Sequence, residues 1–170
     1  MSRYKAAVES QAAQLAGVPA GTTFNGYFAA CVAGAAASFK LRRAILGVRA
    51  GAAVPTSQQM TVALYRQSVR AAGTGFTTVV GLNMEPRAAA SATTGVDVTT
   101  AAAAGTTGPT IGANPLERLT FNTQSAYDVP YELLEELICD QGTANGIAFV
   151  NLGSALPASH LFTLSLEWEE

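Results

Sequence analysis

Few side chains in this sequence could carry out acid–base or nucleophilic chemistry, and His160 is its only histidine. A serine or cysteine nucleophile needs a neighbouring base, and His160 would have to supply it. The sequence has no GxSxG motif, and neither Cys31 nor Cys139 lies in a recognisable catalytic motif. Catalytic metal sites typically use two or three histidine ligands plus a carboxylate, which one histidine cannot provide. We therefore expect His160 to be a structural residue at the start of a strand.

The only dense group of acidic residues consists of Glu132, Glu135, Glu136 and Asp140. Two carboxylates at a suitable separation could hydrolyse a glycosidic bond. Their closeness in sequence instead favours a solvated face or a cation-binding edge. The phosphate-binding motifs GxxxxGK[ST] and GxGxxG are also missing from the sequence. The sequence thus predicts a protein that is not an enzyme and that needs no cofactor or metal.

Composition predicts a folded single domain. Of the 170 residues, 49% are hydrophobic and only 13% are charged, so the chain can form a core and should have a weakly charged surface. Apolar runs such as 29–37 are too short for a membrane-spanning helix, and the N-terminus does not resemble a secretion signal. Cys31 and Cys139 lie far apart and outside any CxxC pair, so we expect two buried, reduced thiols.

The N-terminal segment differs in pattern from the rest. Tyr4, Val8, Ala12 and Leu15 have helical spacing over residues 3–16, before Gly17 and Pro19. This predicts a short N-terminal helix or arm within residues 1–23. Its apolar face is narrow, so it would need a partner, either its own domain or a neighbouring subunit.

Residues 24–170 have the alternating pattern of β-strands separated by turns. The clearest run ends the chain, where Phe162, Leu164, Leu166 and Trp168 alternate with polar residues. Shorter apolar or alternating runs occur near residues 39–46, 60–65, 76–84, 96–100, 116–123 and 147–152. About eight strands without alternating helices predict an all-β fold, a two-sheet antiparallel β-sandwich of the jelly-roll type. Trp168 should anchor its core.

Two segments allow more than one interpretation. Residues 87–115 are rich in small residues, and such a long connection is either a surface loop or a contact with another subunit. Residues 127–138 combine leucines at helical spacing with Pro130. We expect extended chain there, because the surrounding sequence is typical of strands.

The charges are unevenly distributed. Residues 1–87 hold nine basic and two acidic residues, a net charge of +7, whereas residues 88–170 hold one basic and ten acidic residues, a net charge of −9. The two halves either interleave in one fold and neutralise each other, or face each other between copies of the chain. Eight of the ten basic residues are arginines, which are enriched at protein interfaces. Arg42 and Arg43 with Lys40 form too small a basic patch to indicate nucleic-acid binding.

Three parts of the chain resemble small head-associated proteins of tailed bacteriophages. They are the first long strand SFKLRRAILGVRAG followed by TVALYRQS, the segment from Pro130 to GIAFVN, and the ending LSLEWEE. The likeness covers the pattern of residues 38–170. It implies a tumour-necrosis-factor-type jelly roll and a capsid decoration, or head cement, protein on the outside of the virion, made in the host cytoplasm.

This resemblance implies a partner, the major capsid protein, and a homo-oligomer in which a trimer is favoured. It implies no membrane and no direct contact with nucleic acid. The candidate contact residues are Tyr4, Val8, Leu15, Arg42, Arg43, Glu135 and Glu136. The alternative is a receptor- or carbohydrate-binding β-sandwich of a phage tail or fibre, and a hydrolase using the acidic cluster is a third hypothesis.

Overall fold

The computed structural model describes residues 1–10, 27–50, 56–70, 75–86, 89–99, 109–152, 156–157 and 160–170. These residues form thirteen strands and no helix. The strands are β1 (Arg3–Glu9), β2 (Tyr27–Val32), β3 (Phe39–Ala50), β4 (Gln59–Val69), β5 (Phe76–Val79), β6 (Leu82–Asn83), β7 (Gly95–Thr99), β8 (Thr110–Ile111), β9 (Glu117–Asn122), β10 (Tyr127–Pro130), β11 (Leu137–Cys139), β12 (Gly146–Asn151) and β13 (His160–Glu169).

The strands pair into two antiparallel sheets that pack face to face. Sheet A has the order β10-β3-β13-β1-β6, with β11 also paired to β3. Sheet B has the order β5-β7-β2-β12-β4-β8, with β9 also paired to β4. The expected all-β sandwich is therefore confirmed, and its topology is jelly-roll-like.

The main core lies between the sheets. Alternate residues of β13, namely Phe162, Leu164, Leu166 and Trp168, point into it and are almost fully buried. The prediction that Trp168 anchors the core is confirmed. Its ring is fully buried and stacks on Tyr4 with a centroid distance of 6.1 Å. Gly81 is required beside this ring, because a Cβ there would lie 2.3 Å from the indole.

A second, smaller cluster lies on the other face of sheet B. It includes Tyr27, Ala30, Tyr65 and Val150, so that β2 and β12 are buried on both faces. Asp97 also points to this face and is buried. It accepts hydrogen bonds from Arg70 Nε and Nη2, both at 2.6 Å, and from Thr78 Oγ1 at 2.6 Å. The ion pair satisfies a carboxylate that would otherwise be costly to bury.

The helix predicted from residues 3–16 is wrong for the described part of that segment. Arg3–Glu9 form β1, which pairs with β13 along its whole length and lies in the middle of sheet A. Tyr4, Ala6 and Val8 alternate into the core. Ala6 also points into the core, which fits the two-residue period of a strand and not the helical spacing. Pairing with β13 therefore determines that this segment is a strand. Residues 11–23 of the predicted arm lie outside the described residues.

Extended chain over residues 127–138 is confirmed at the two ends of the segment, which form β10 and β11, whereas residues 131–136 form a loop with a turn. The strand expected near residues 96–100 is β7. The alternation expected near residues 39–46 is interrupted within β3. Strict alternation would place Arg43 on the same face as Phe39 and Leu41, but the pairing with β13 shifts between Glu167 and Trp168. Glu167 lies opposite Arg43 and Trp168 lies opposite Leu41, so Arg42 is the extra residue of a β-bulge.

Candidate functional site

The groups that could perform chemistry are buried. His160 begins β13, as expected, and is 1% exposed, with its Nε2 accepting a hydrogen bond of 3.3 Å from the backbone N–H of Thr56. Cys31 and Cys139 are free, buried thiols, as predicted. Burial raises the pKa of Cys31 well above its ordinary value and raises that of Cys139 to about 11. Thiols of this kind are poor nucleophiles at neutral pH.

The acidic cluster is divided by the fold. Glu132 and Glu135 are exposed, whereas the side chain of Glu136 is 5% exposed and forms an ion pair with Arg42. A backbone hydrogen bond and the charge of Arg42 keep the pKa of Glu136 below its ordinary value, against the effect of burial. A general acid would need a raised pKa. Among the described residues, no group of three or more His, Cys, Asp or Glu is placed to hold a metal ion. In the same part of the chain no helix is long and apolar enough to cross a membrane.

Arg42 positions a protruding loop at the edge of sheet A. Pro130 of β10 pairs with Arg43, and Leu137 of β11 pairs with Leu41, so residues 131–136 lie opposite Arg42 alone. The backbone carbonyl of Arg42 accepts a hydrogen bond of 2.8 Å from the N–H of Tyr131. Its guanidinium binds Glu136 and also Glu169, the latter at 2.6 Å. One bulged residue thus holds both ends of the loop.

The middle of that loop exposes two leucines. Leu133 is 73% exposed and Leu134 is 91% exposed, and a turn closed by a 3.0 Å hydrogen bond from Glu135 N–H to the carbonyl of Glu132 carries both. Leu134 has a φ of 75°, a left-handed conformation that is unfavourable for a leucine. We call Leu133 and Leu134 the apolar tip. Local strain at an exposed apolar residue is typical of a contact site.

A second apolar surface lies at the opposite edge of sheet A. Val80, Leu82 and Met84 are 58%, 74% and 46% exposed in and around the short strand β6. They border a groove of about 450 Å³ between the edges of the two sheets. We call this the edge groove, and its lining includes Lys5, Ala7, Val79, Val80, Leu82 and Met84. Of the described residues that line it, Lys5 alone is charged.

The expected contact residues lie in different parts of the fold. Tyr4 and Val8 are 3% and 7% exposed, so their side chains belong to the core of their own chain. Leu15 lies outside the described residues. Arg42 and Glu136 pair with each other beneath the apolar tip, while Glu135 is exposed beside it. Arg43 lies on the surface, where its Nε donates to Asp128 at 2.8 Å.

The uneven charge distribution is balanced mainly within the chain. Of the seven ion pairs between described residues, six join a basic residue from 1–87 to an acid from 88–170. The remaining pair joins Arg49 to Glu9. Interleaving of the two halves in one fold therefore explains most of the asymmetry. The surface left for contacts is apolar rather than strongly charged.

The apolar tip and the edge groove were missed as contact sites. The leucines of the tip were assigned to a strand or helix pattern, and Val80, Leu82 and Met84 to one continuous strand. Gly81 was the available signal, because a glycine inside a strand pattern suggests a break or a close approach. Comparison of the chain with protein-family models, with curated proteins and with solved structures returned no match.

Proposed function

We propose that this chain is a structural virion protein that decorates and stabilises the capsid of a tailed phage by bridging subunits of the major capsid protein. The proposal rests on the resemblance of residues 38–170 and on the kind of surface the sandwich presents. Its place would be the outside of the capsid. Its partners would be the major capsid protein and further copies of itself.

The observation that carries this proposal is the pair of exposed apolar surfaces at opposite edges of one sheet. Burying a leucine side chain on binding contributes about 1.5–3 kcal/mol, so the apolar tip offers about 3–6 kcal/mol before the costs of association. Exposed apolar groups of this kind are typical of protein-contact sites. His160, Cys31 and Cys139 are buried.

Co-sedimentation with shells assembled from the major capsid protein of the same genome tests the proposal. We expect the protein to pellet with the shells and to saturate at a fixed number of copies per shell. The double substitution Leu133→Asp/Leu134→Asp should weaken binding to shells. It removes apolar area that would contact the shell, and it would also weaken an oligomer that binds the shell through several copies. Val69→Asp, at a 52% exposed position on sheet B, is the matched control.

Failure of the wild-type protein to pellet at any concentration would contradict the proposal. The alternative, a receptor- or carbohydrate-binding module of a tail or fibre, predicts a different result. Such a protein would bind a glycan array or host-cell surface and would leave shells unbound. Running both assays on the same preparation separates the two functions.

A further inference from the structure

We propose that the apolar tip of one copy inserts into the edge groove of the next copy, so that the chain assembles head to tail. The occupant of the groove is therefore a second copy of this chain. This inference rests on the self-assembly included in the proposed function and names the two surfaces that would form it, and its test requires no shell.

The positions of the two surfaces favour contact between copies over contact within one. The tip is carried by the loop between β10 and β11, and the groove lies beside β6. In sheet A, β10 and β6 are the two outermost strands, separated by β3, β13 and β1. The loop itself lies over sheet A, where Leu133 lines a pocket with Arg3, Arg43 and Glu167 of the same chain. Leu134, which is 91% exposed, is the part of the tip that remains open to a neighbour.

The chemistry of the two surfaces is complementary. The tip consists of two leucines between the exposed carboxylates of Glu132 and Glu135. The groove is apolar, and Lys5 is the charged residue of its described lining. The side chain of Lys5 is 44% exposed. A lysine ammonium has three donors, and Lys5 gives one of them to Glu167 at 3.2 Å, so it can also reach a carboxylate of a neighbour.

The backbone beside the groove also suits a contact. Strand β6 pairs only with Tyr4 and Lys5 of β1, whereas β13 pairs with β1 from Arg3 to Glu9. Among the described strands, none pairs with residues 6–9 of β1 on the β6 side. Such an open sheet edge is normally covered by another segment or by another subunit.

A contact between two different surfaces is heterologous, and repeating it produces a closed ring or an open filament. A ring or filament joins each tip to the groove of the next copy. A two-fold dimer instead places tip against tip, or each tip in the groove of the other copy, and can grow no further. These two arrangements give different cross-linking patterns, which makes the proposal testable without a structure of the assembly.

Cysteine cross-linking tests the proposal on the full chain. The native thiols, Cys31 and Cys139, are 0% and 3% exposed, so a short bismaleimide should react only with cysteines introduced at the surface. We would prepare Leu134→Cys, Leu82→Cys and the double variant. Both modified positions are highly exposed, so the variants should fold, and thermal unfolding of each would verify this.

The expected result is covalent oligomers larger than a dimer from the double variant and no cross-linking from either single variant. Mixing the two single variants should give a covalent dimer. Leu134→Asp should weaken self-association about 10-fold to 100-fold in sedimentation velocity, as the loss of one buried leucine predicts. Glu132→Lys/Glu135→Lys should also weaken self-association, because the new lysines would face Lys5 of the groove. This repulsion should grow as the salt concentration falls.

Two results would overturn the proposal. One is a covalent dimer from Leu134→Cys alone, which would indicate tip-to-tip contact. The other is a wild-type protein that stays monomeric in native mass spectrometry at every concentration measured. A protein that assembles head to tail but does not bind shells would support this inference and contradict the proposed function, and binding to shells as a monomer would do the reverse.

Discussion

Substitution of Glu170 should destabilise the sandwich, because this one carboxylate joins residues 91–93 to the end of β13. Its Oε1 accepts hydrogen bonds from Trp168 Nε1 at 3.0 Å and from the backbone N–H of Thr93 at 3.3 Å. It also accepts one from Ser91 Oγ, and Oε2 accepts one of 2.7 Å from the N–H of Ala92. The carboxylate thereby fixes residues 91–93 against the end of β13.

The size of the loss in free energy of unfolding depends on which hydrogen-bond donors lose Glu170 as their acceptor. Trp168 is fully buried and Thr93 is 5% exposed, whereas water can reach the donors of Ser91 and Ala92. A buried donor without a partner costs about 1–3 kcal/mol, so Glu170→Ala should lower the free energy of unfolding by about 2–4 kcal/mol. Glu170→Gln keeps the shape but removes the charge. It should cost about 1–2 kcal/mol, the difference between hydrogen bonds to a charged and to a neutral acceptor.

Urea unfolding followed by tryptophan fluorescence measures both effects, because Trp168 is the only tryptophan. The pH dependence gives a second check. Burial raises the pKa of Glu170, but the hydrogen bonds from Ser91, Trp168, Ala92 and Thr93 outweigh it and leave the pKa below its ordinary value of 4.5. A lowered pKa contributes stability that is present above the unfolded pKa and is lost as the pH falls through the folded pKa.

The difference in stability between wild type and Glu170→Gln should therefore be complete at pH 7 and shrink below about pH 4. Glu132→Gln is the control, since this exposed glutamate makes the same change of charge in the loop between β10 and β11. Equal stability of wild type and Glu170→Gln at pH 7 would refute the reasoning. A difference in stability between wild type and Glu170→Gln that grows as the pH falls would also refute it.

Three further predictions concern the core, the second face of sheet B and the apolar tip. Trp168→Ala should cost about 3–5 kcal/mol in thermal or urea unfolding, because it removes the largest fully buried side chain, and an unchanged midpoint would contradict that placement. Asp97→Asn should lower the free energy of unfolding by about 3 kcal/mol. This is near the low end for a broken buried ion pair, because the Arg70 side chain is 31% exposed. A double-mutant cycle with Arg70→Met should show coupling between the two residues. Leu134→Gly should stabilise the monomer by up to about 1 kcal/mol through relief of the positive φ, while weakening self-association in sedimentation. If Leu134→Gly lowers the stability of the monomer as well as its self-association, the positive φ of Leu134 is not a source of strain.

Alternation predicted the sheets well wherever one face of a strand is buried. The run from Phe162 to Trp168 shows this clearly, because each apolar residue enters the core and each intervening residue lies on the outer face of sheet A. The composition also predicted correctly that the two cysteines are buried. These features depend only on local pattern and on the period of two residues in a strand.

The features that failed depend on pairing between distant segments. Tyr4 and Val8 fit a helix as well as a strand, and only the pairing of β1 with β13 distinguishes the two. The bulge at Arg42 follows from the register between β3 and β13, which no local pattern specifies. Because of this bulge, Arg42, which was expected to be a contact residue, instead binds both ends of the loop 131–136. The loop exposes Leu133 and Leu134, which the sequence had assigned to extended chain, and these become the proposed contact residues.

Stability of the shell itself tests the central claim most directly. Shells filled with DNA would be heated with and without saturating protein, and release of DNA would be followed by dye fluorescence. We predict that the wild-type protein raises the temperature of release and that Leu133→Asp/Leu134→Asp raises it less. An identical release temperature in the presence and absence of the wild-type protein would contradict a role in reinforcing a capsid.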